Sequence, residues 1–258
     1  MGDYAFGDTL PAARRLGLVA EVFEPASRAF LEGFTEAAPR LAVDLGCGPG
    51  HTTRLLAAVL RPRRTLGLDQ SEAFVALARV GAPATVEFAV HDVTTTPFPH
   101  GPADVAFCRF LLSHLADPAA ALAAWATQLS PSGLLLVEEV EQIHTGHPTL
   151  RRYLDMVAAL LAARGHRLEI GPLLDELPDP PGLARRGSRV APLVPPGARV
   201  AAMFGMNLAV WRDDALGAGV AGERELDGLA DGLAALAHAE EPAAISWGLR
   251  QLSFERVA

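Results

Sequence analysis

The stretch VDLGCGPG at residues 43–50 decides the fold. It continues the short apolar run Leu41–Leu45, which is typical of a buried parallel strand, and a helix is predicted directly after it over His51–Leu60. The first glycine permits a tight turn, and the second lets a ligand approach the main chain closely. Unpaired N–H groups at the start of the following helix attract an anion. The stretch therefore predicts a strand, a glycine turn and a helix that together bind an anionic ligand.

Strands and helices alternate on the carboxyl side of this turn. Four further strands are predicted, each with its own flanking turn signals. Such an alternation indicates βαβ units around a parallel sheet. Beyond Val140 the pattern becomes more helical, although Ser188–Val194 is compatible with a strand and Ile245–Val257 is predicted as a final strand. The four strands are Thr65–Leu68, Val86–Val90, Asp104–Cys108 and Leu134–Val140, with helices predicted over Ser71–Val80 and from Asp117 to about Leu129.

The composition bounds the classes of function. The 258 residues suit one large domain, or one domain with a small subdomain. All 22 Lys-plus-Arg positions are arginine, which excludes a lysine Schiff base and the lysine of a phosphate-binding P-loop. The formal net charge of −8 argues against nucleic acid as a partner. No apolar stretch is long enough for a membrane span, and the two cysteines, Cys47 and Cys108, lead us to expect a reducing, cytoplasmic setting.

The spacing of the glycines distinguishes two kinds of nucleotide ligand. A dinucleotide fingerprint places a glycine at position 51, where this chain has His51, and an acid, Asp44, stands two residues before the first glycine. The segment instead resembles the first motif of the class I S-adenosylmethionine-dependent methyltransferases. Further motifs of that family are similar to LGLD at 66–69, EFAVHDV at 87–93, DVAFCR at 104–109, FLLSHL at 110–115 and LSPSGL at 129–134.

The resemblance covers about residues 38–145 and implies an architecture for the whole chain. We expect an α/β, Rossmann-like sheet of seven mostly parallel strands with helices on both faces, an N-terminal helical lid and a helical insertion after strand five. Residues 1–38 form the N-terminal helical cap, in which Pro25 separates two helices and Tyr4 and Phe6 close over the cofactor. Residues 39–258 form the methyltransferase domain, with a cofactor-binding half at 39–145, an acceptor-pocket insertion with helices at 146–240 and a terminal strand at 241–258.

The resemblance also implies where S-adenosylmethionine, or its product S-adenosylhomocysteine, would bind. Asp69 at the end of the second strand takes both ribose hydroxyls, Gln70 lines the adenine side, and Asp92 accepts from the adenine amino group. Arg109 stands where many members have asparagine. It pairs either with the cofactor carboxylate or a substrate acid, or with a nearby acid on the surface. The predicted cofactor-binding set is Asp44, Gly46, Cys47, Gly48, Asp69, Gln70, His91, Asp92, Val93, Cys108 and Arg109.

Two residues are candidate catalytic bases. His114 follows strand four and has a side chain that titrates near neutrality, and the alternative is a packing histidine at the start of a helix. Glu139 belongs to strand five, where it shares one face with Glu141 while Glu138 points to the other. These three acids are expected to crowd a cleft and raise each other's pKa values, or else to lie on a solvated loop.

The predicted function is methyl transfer to oxygen, nitrogen or carbon of a small-molecule acceptor, in secondary metabolism. The long segment between strands five and six would form the acceptor pocket, and we expect a monomer or a homodimer. No essential metal is expected, because Cys108-Arg109 cannot bind one as the acids of catechol-type members do. Three alternatives stay open: a macromolecular acceptor, a cofactor-binding protein of this fold that catalyses other chemistry, and an NAD-dependent oxidoreductase.

Overall fold

A seven-stranded sheet forms the centre of the protein. The computed structural model describes residues 10–37, 39–239 and 243–257. The strands are β1 (Leu41–Leu45), β2 (Arg64–Asp69), β3 (Val86–Val90), β4 (Ala103–Arg109), β5 (Leu129–Thr145), β6 (Leu183–Leu193) and β7 (Ile245–Arg256). Their order in the sheet is β3-β2-β1-β4-β5-β7-β6. The first five strands pair in parallel, and β7 is antiparallel to both of its neighbours, so the predicted α/β class and seven mostly parallel strands are confirmed.

Helices cover both faces of the sheet. One face packs on Leu55 and Leu56 with Phe30 and Leu31, and the other packs on Leu122 and its neighbours. No helix within the described ranges has the length and apolar character needed to cross a membrane. The helices are α1 (Leu10–Glu32), α2 (His51–Leu60), α3 (Glu72–Arg79), α4 (Pro118–Ala126), α5 (Pro148–Ala162), α6 (Gly171–Glu176), α7 (Gly197–Gly217) and α8 (Glu223–Ala237), with 3₁₀ turns at Thr35–Ala37 and Leu112–His114.

The predicted break at Pro25 is wrong, because α1 continues through it. A proline inside a helix removes one N–H and clashes with the preceding turn. Burial on both sides of the proline outweighs this cost, since Phe23 and Phe30 are each 4% exposed and Leu31 is fully buried. The predicted lid residues Tyr4 and Phe6 lie outside the described residues.

Strand β5 is much longer than predicted. It begins at Leu129, so that the motif at 129–134 lies within it, and it continues to Thr145, where it still pairs with Ile245 of β7. The strand that supplies these hydrogen bonds lies about a hundred residues further along the chain, so no local sequence pattern indicates the full length of β5. A register shift between Val140 and Gln142 bends the ladder. The segment predicted as a helical insertion also contains β6, which forms the edge of the sheet.

A row of polar side chains crosses the sheet beneath α1. Arg109, Glu138, Gln251 and Arg189 occupy adjacent register positions on β4, β5, β7 and β6. Gln251 donates to Glu138 at 2.5 Å, and Arg189 donates to Gln251 at 2.8 Å. Ser27 of α1 donates to Glu138 and accepts from Arg109 at 2.9 Å. The helix is therefore attached to the sheet through a buried ionic network as well as through apolar contacts.

Removing the acid of this row should destabilise the protein strongly. Glu138 is fully buried, so Glu138→Ala leaves Ser27 and Gln251 without their acceptor and the nearby Arg109 guanidinium without a compensating charge. We expect a loss of roughly 3–5 kcal/mol in the free energy of unfolding, measured in urea. Glu24→Ala removes an exposed helix pair with Arg28 and should cost less than about 1 kcal/mol. Equal effects of the two substitutions would contradict the role given to the row.

Candidate active site

The glycine turn after β1 is held against β2 by its own backbone. Gly46 and Cys47 both donate their N–H groups to the carbonyl of Leu68, at 2.8 and 2.9 Å. Gly46 has a φ of +70°, and a Cβ there would meet the Leu111 side chain at 2.8 Å. Gly50 has a φ of +86° and closes the turn with a bond to the Cys47 carbonyl. Glycine is required at these positions by both conformation and space.

Asp44 fixes the turn from beneath. Its Oδ2 accepts hydrogen bonds from the hydroxyls of Thr52 and Thr53, at 2.6 and 2.7 Å, in the first turn of α2. The side chain is 1% exposed, and burial raises its pKa to about 6 against the opposing effect of the two hydroxyls. The structure therefore gives Asp44 a role in shaping the turn rather than an exposed binding surface.

Asp69 lies on the open side of the turn. It ends β2 and is half-buried. Its Oδ2 accepts from the N–H of Gly48 at 2.8 Å, and its Oδ1 accepts from the N–H of Ser71 at 2.9 Å. The carboxylate is only partly buried, so hydroxyl groups of a ligand can approach it. Gln70, next in the chain, is exposed beside it.

The residues after β3 share this edge, because β2 and β3 are parallel and end together at Asp69 and Val90. Asp92 is half-buried, and its Oδ1 accepts from the N–H and hydroxyl of Thr94, which lower its pKa. The His91 Nε2 lies 3.0 Å from the Thr95 carbonyl. Val93 is buried, and its carbonyl accepts from the indole N–H of Trp125 at 2.8 Å. These contacts make a rigid loop whose Asp92 remains accessible.

Three predicted cofactor residues have side chains turned away from this edge. Cys47 packs with Phe88 and Cys108 lies in the apolar core, so both side chains are buried away from the sheet edge. The Arg109 guanidinium lies under α1, where it donates to Ser27 beside Glu138. The alternative of an Arg109 that pairs with a nearby acid therefore fits the structure better, although this acid is buried rather than on the surface.

His114 and Glu139 do not have the properties of a strong general base. Burial, helped by His166 and Arg15, lowers the pKa of His114 to about 3. Glu139 is 1% exposed, and its Oε1 accepts from the N–H groups of Leu111 and Leu112, each at 2.7 Å. Burial raises the pKa of Glu139 to about 8. Its geometry holds the loop after β4 in place, which is a positioning role.

The three acids do not crowd an open cleft, although Glu138 contributes to the raised pKa of Glu139. Glu138 and Glu139 are buried on opposite faces of the sheet, and Glu141 forms an ion pair with Arg250, at 2.7 Å. Arg250 stands opposite Glu139 in the ladder, so Glu141 lies on the face of Glu139, as predicted, but is engaged by this ion pair. Within the described ranges, no group of three or more histidine, cysteine or acidic residues is arranged to hold a metal ion.

Sequence reasoning missed a polar group behind the loop after β4. Arg15 of α1 is 3% exposed and donates to the Asn207 side chain of α7 at 2.9 Å. The ring of His166 lies 6.3 Å, between centroids, from that of His114. These residues come from three distant parts of the chain and belong to no local motif. The only available signal was an arginine within an otherwise apolar helix face.

Comparison with known proteins agrees with the methyltransferase resemblance of the sequence motifs. Residues 43–137 match the family described as methyltransferase domain. A trans-aconitate 2-methyltransferase from Methylobacterium radiotolerans is 34% identical over 155 residues, which is 60% of this chain and 54% of that protein. One from Methylobacterium nodulans is 37% identical over 138 residues, 52% of this chain and 53% of that protein. The chain thus spans about half the length of these curated relatives.

Solved structures share the fold at low identity. A proposed methyltransferase from Bacillus halodurans C-125 superposes with a TM-score of 0.57 and 14% identity, over 90% of this chain and 100% of that one. The [4+2]-cyclase SpnF superposes with a TM-score of 0.50 and 18% identity, over 90% of this chain and 81% of that one. These likenesses establish the architecture of the sheet and its helices.

The buried Glu139 should make stability fall as the pH rises. Its pKa is raised above the ordinary 4.5. Between pH 4.5 and about 8 the folded state therefore keeps a proton that the unfolded state has already released. Each unit of difference corresponds to about 1.4 kcal/mol. We expect the unfolding free energy of the wild type to fall between pH 5 and pH 8, relative to that of Glu139→Gln, in urea titrations. Parallel pH profiles for the two proteins would show that Glu139 is ionised in the fold.

Proposed function

We propose, from the premise that the chain belongs to the class I S-adenosylmethionine-dependent methyltransferases, that it transfers a methyl group from this cofactor to a small-molecule acceptor. The observation that carries the proposal is one sheet edge. It combines the glycine turn, of which Gly46 is partly exposed, with two half-buried carboxylates, Asp69 and Asp92, at or just beyond the ends of the neighbouring strands. Ligands of open α/β sheets bind at this edge.

The residues of the edge fit the parts of the cofactor. The amino-acid portion would lie at the Gly46–Gly48 turn, which the side chains of Leu111 and Leu16 border, and the half-buried Asp69 would accept from the ribose hydroxyls. Asp92 would accept from the adenine amino group. When bound, the cofactor supplies a methyl group activated on a sulfonium. The protein then needs to position the acceptor and exclude water, which together can contribute on the order of 7–11 kcal/mol.

The acceptor that suits this site needs no proton removed. Neither His114 nor Glu139 is arranged to take one, because the first has a pKa of about 3 and the second is bound to the main chain. A carboxylate acceptor would attack directly: its oxygen forms a bond to the methyl carbon, the sulfur–carbon bond breaks, and the electron pair stays on sulfur. The names of the curated relatives, trans-aconitate 2-methyltransferases, support an acid as the acceptor. An acceptor from secondary metabolism, expected from the large insertion, remains a prediction.

Two alternatives are weaker. The fold is shared with the cyclase SpnF, so the first alternative is a cofactor-binding protein that catalyses other chemistry. Measuring the formation of S-adenosylhomocysteine distinguishes it from a methyltransferase. A nucleic acid acceptor is disfavoured by the net charge of −8. Both cysteines are free and buried, in keeping with the cytoplasmic setting that we propose.

The proposal predicts that Asp69 is essential for cofactor binding. Asp69→Ala removes the acceptor for the ribose hydroxyls, and we expect the affinity for S-adenosylhomocysteine to fall on the order of 100-fold in calorimetry. Glu72→Ala, an exposed acid at the start of α3, serves as the matched control and should bind as the wild type does. Unchanged affinity in a folded Asp69→Ala protein would contradict the ribose assignment.

A second prediction concerns proton transfer. Removal of a true general base lowers the rate by roughly 100- to 10,000-fold. With trans-aconitate as the acceptor, we expect His114→Asn to retain kcat within about tenfold of the wild type, since its imidazole is a weak base in the fold. The measurement is conversion of S-adenosylmethionine to S-adenosylhomocysteine. A loss in kcat of a thousandfold or more at unchanged cofactor affinity would restore His114 as the base.

A further inference from the structure

The loop after β4 begins with a strained residue. Phe110 has a φ of +55°, in the left-handed region that non-glycine residues rarely occupy. Leu111 follows in a right-handed conformation, with a φ of −112° and a ψ of −44°. A left-handed residue next to a right-handed one turns successive N–H groups toward one point, where they can bind an acceptor. Strain of this kind persists only where the surrounding structure fixes it, and it is common at ligand sites.

The acceptor at this point is supplied by the protein itself. The Oε1 atom of Glu139 on β5 accepts from the N–H groups of Leu111 and Leu112, each at 2.7 Å, and a backbone hydrogen bond from Ser113 adds to them. The Oε2 atom is buried and has no hydrogen-bond partner among the described residues. One carboxyl oxygen of Glu139 therefore fixes three successive residues of the loop.

The fixed loop places Leu111 on the glycine turn. A Cβ at Gly46 would meet Cδ1 of Leu111 at 2.8 Å and Cδ2 at 3.1 Å, so the leucine side chain packs directly on the Gly46 main chain. A Cβ at Gly48 would meet Cδ1 of Leu16, from α1, at 3.5 Å. Leu111 itself is only half-buried, so part of its apolar surface remains accessible to a ligand.

We propose that Glu139 is a positioning residue for cofactor binding, because it sets the loop after β4 so that Leu111 forms an apolar wall for the amino-acid portion at Gly46. The inference rests on the proposed function, which places that portion at the glycine turn. It goes further by assigning a role to a buried residue of β5 and by limiting that role to one part of the cofactor. The ribose and adenine portions lie at Asp69 and Asp92, on the opposite side of β1 from β4.

Two ligands separate the portions of the cofactor. S-adenosylhomocysteine contains the amino-acid portion, whereas 5′-methylthioadenosine has the ribose and the adenine without it. Glu139→Ala removes the acceptor that holds the loop. We expect the affinity for S-adenosylhomocysteine to fall on the order of tenfold in calorimetry, at unchanged affinity for 5′-methylthioadenosine. Leu111→Ala should give the same selective loss, because it removes the wall itself.

A conservative variant and two controls separate this role from a general loss of stability. Glu139→Gln keeps a carbonyl oxygen for the loop and should bind S-adenosylhomocysteine within about threefold of the wild type. Glu141→Ala breaks the ion pair with Arg250 on the same face of β5, and it should lower stability without changing either affinity. Leu115→Ala truncates a half-buried leucine that packs on the core, and it should also leave both affinities unchanged.

Hydrogen exchange gives a measurement that does not depend on the cofactor. In Glu139→Ala the amide protons of Leu111 and Leu112 should lose their protection, while those of β1 keep theirs. The inference is overturned if these amides stay protected, if both ligands lose affinity equally, or if the affinity for S-adenosylhomocysteine is unchanged or higher. A wild type that binds neither ligand would instead contradict the proposed function, and the exchange experiment would still test whether Glu139 holds the loop.

Discussion

The rest of the site depends on one buried carboxylate at the end of β1. Asp44 is removed from water and compensated by two short hydrogen bonds from Thr52 and Thr53. Burying an ion is expensive unless such bonds are made, so the first turn of α2 can take only one position relative to β1. That position bends the intervening glycines into left-handed backbone conformations and brings the N–H of Gly48 to Asp69. A ligand edge with fixed main-chain and carboxylate groups is the consequence.

The antiparallel strand β7 joins this edge to the second half of the protein. It extends β5 well beyond the ends of the other parallel strands, and its Ile245 lines a cleft between α5 and the ends of these two strands. It also supplies Gln251 to the polar row that attaches α1. The same pairing therefore positions the helix that carries Arg15. One continuous sheet sets both the edge at the ends of the parallel strands and the cleft beside α5.

Local sequence patterns were sufficient for strands β1 to β4 and insufficient for the rest of the chain. Strands β1 to β4 begin and end within about two residues of prediction, because each is bounded by its own turn residues. The length of β5 depends on a partner a hundred residues away, and the continuity of α1 depends on burial that outweighs a proline. The direction of the Arg109 side chain could not be predicted from its position at the end of a strand. The group around Arg15 and His166 arises only when distant helices meet.

The most direct test of this account is a calorimetric titration of the wild-type protein with S-adenosylhomocysteine and, separately, with NADH. The glycine spacing and the carboxylates at the edge predict micromolar or tighter binding of S-adenosylhomocysteine and no binding of NADH. Binding of NADH, without binding of S-adenosylhomocysteine, would contradict the account, because the turn after β1 would then serve a dinucleotide.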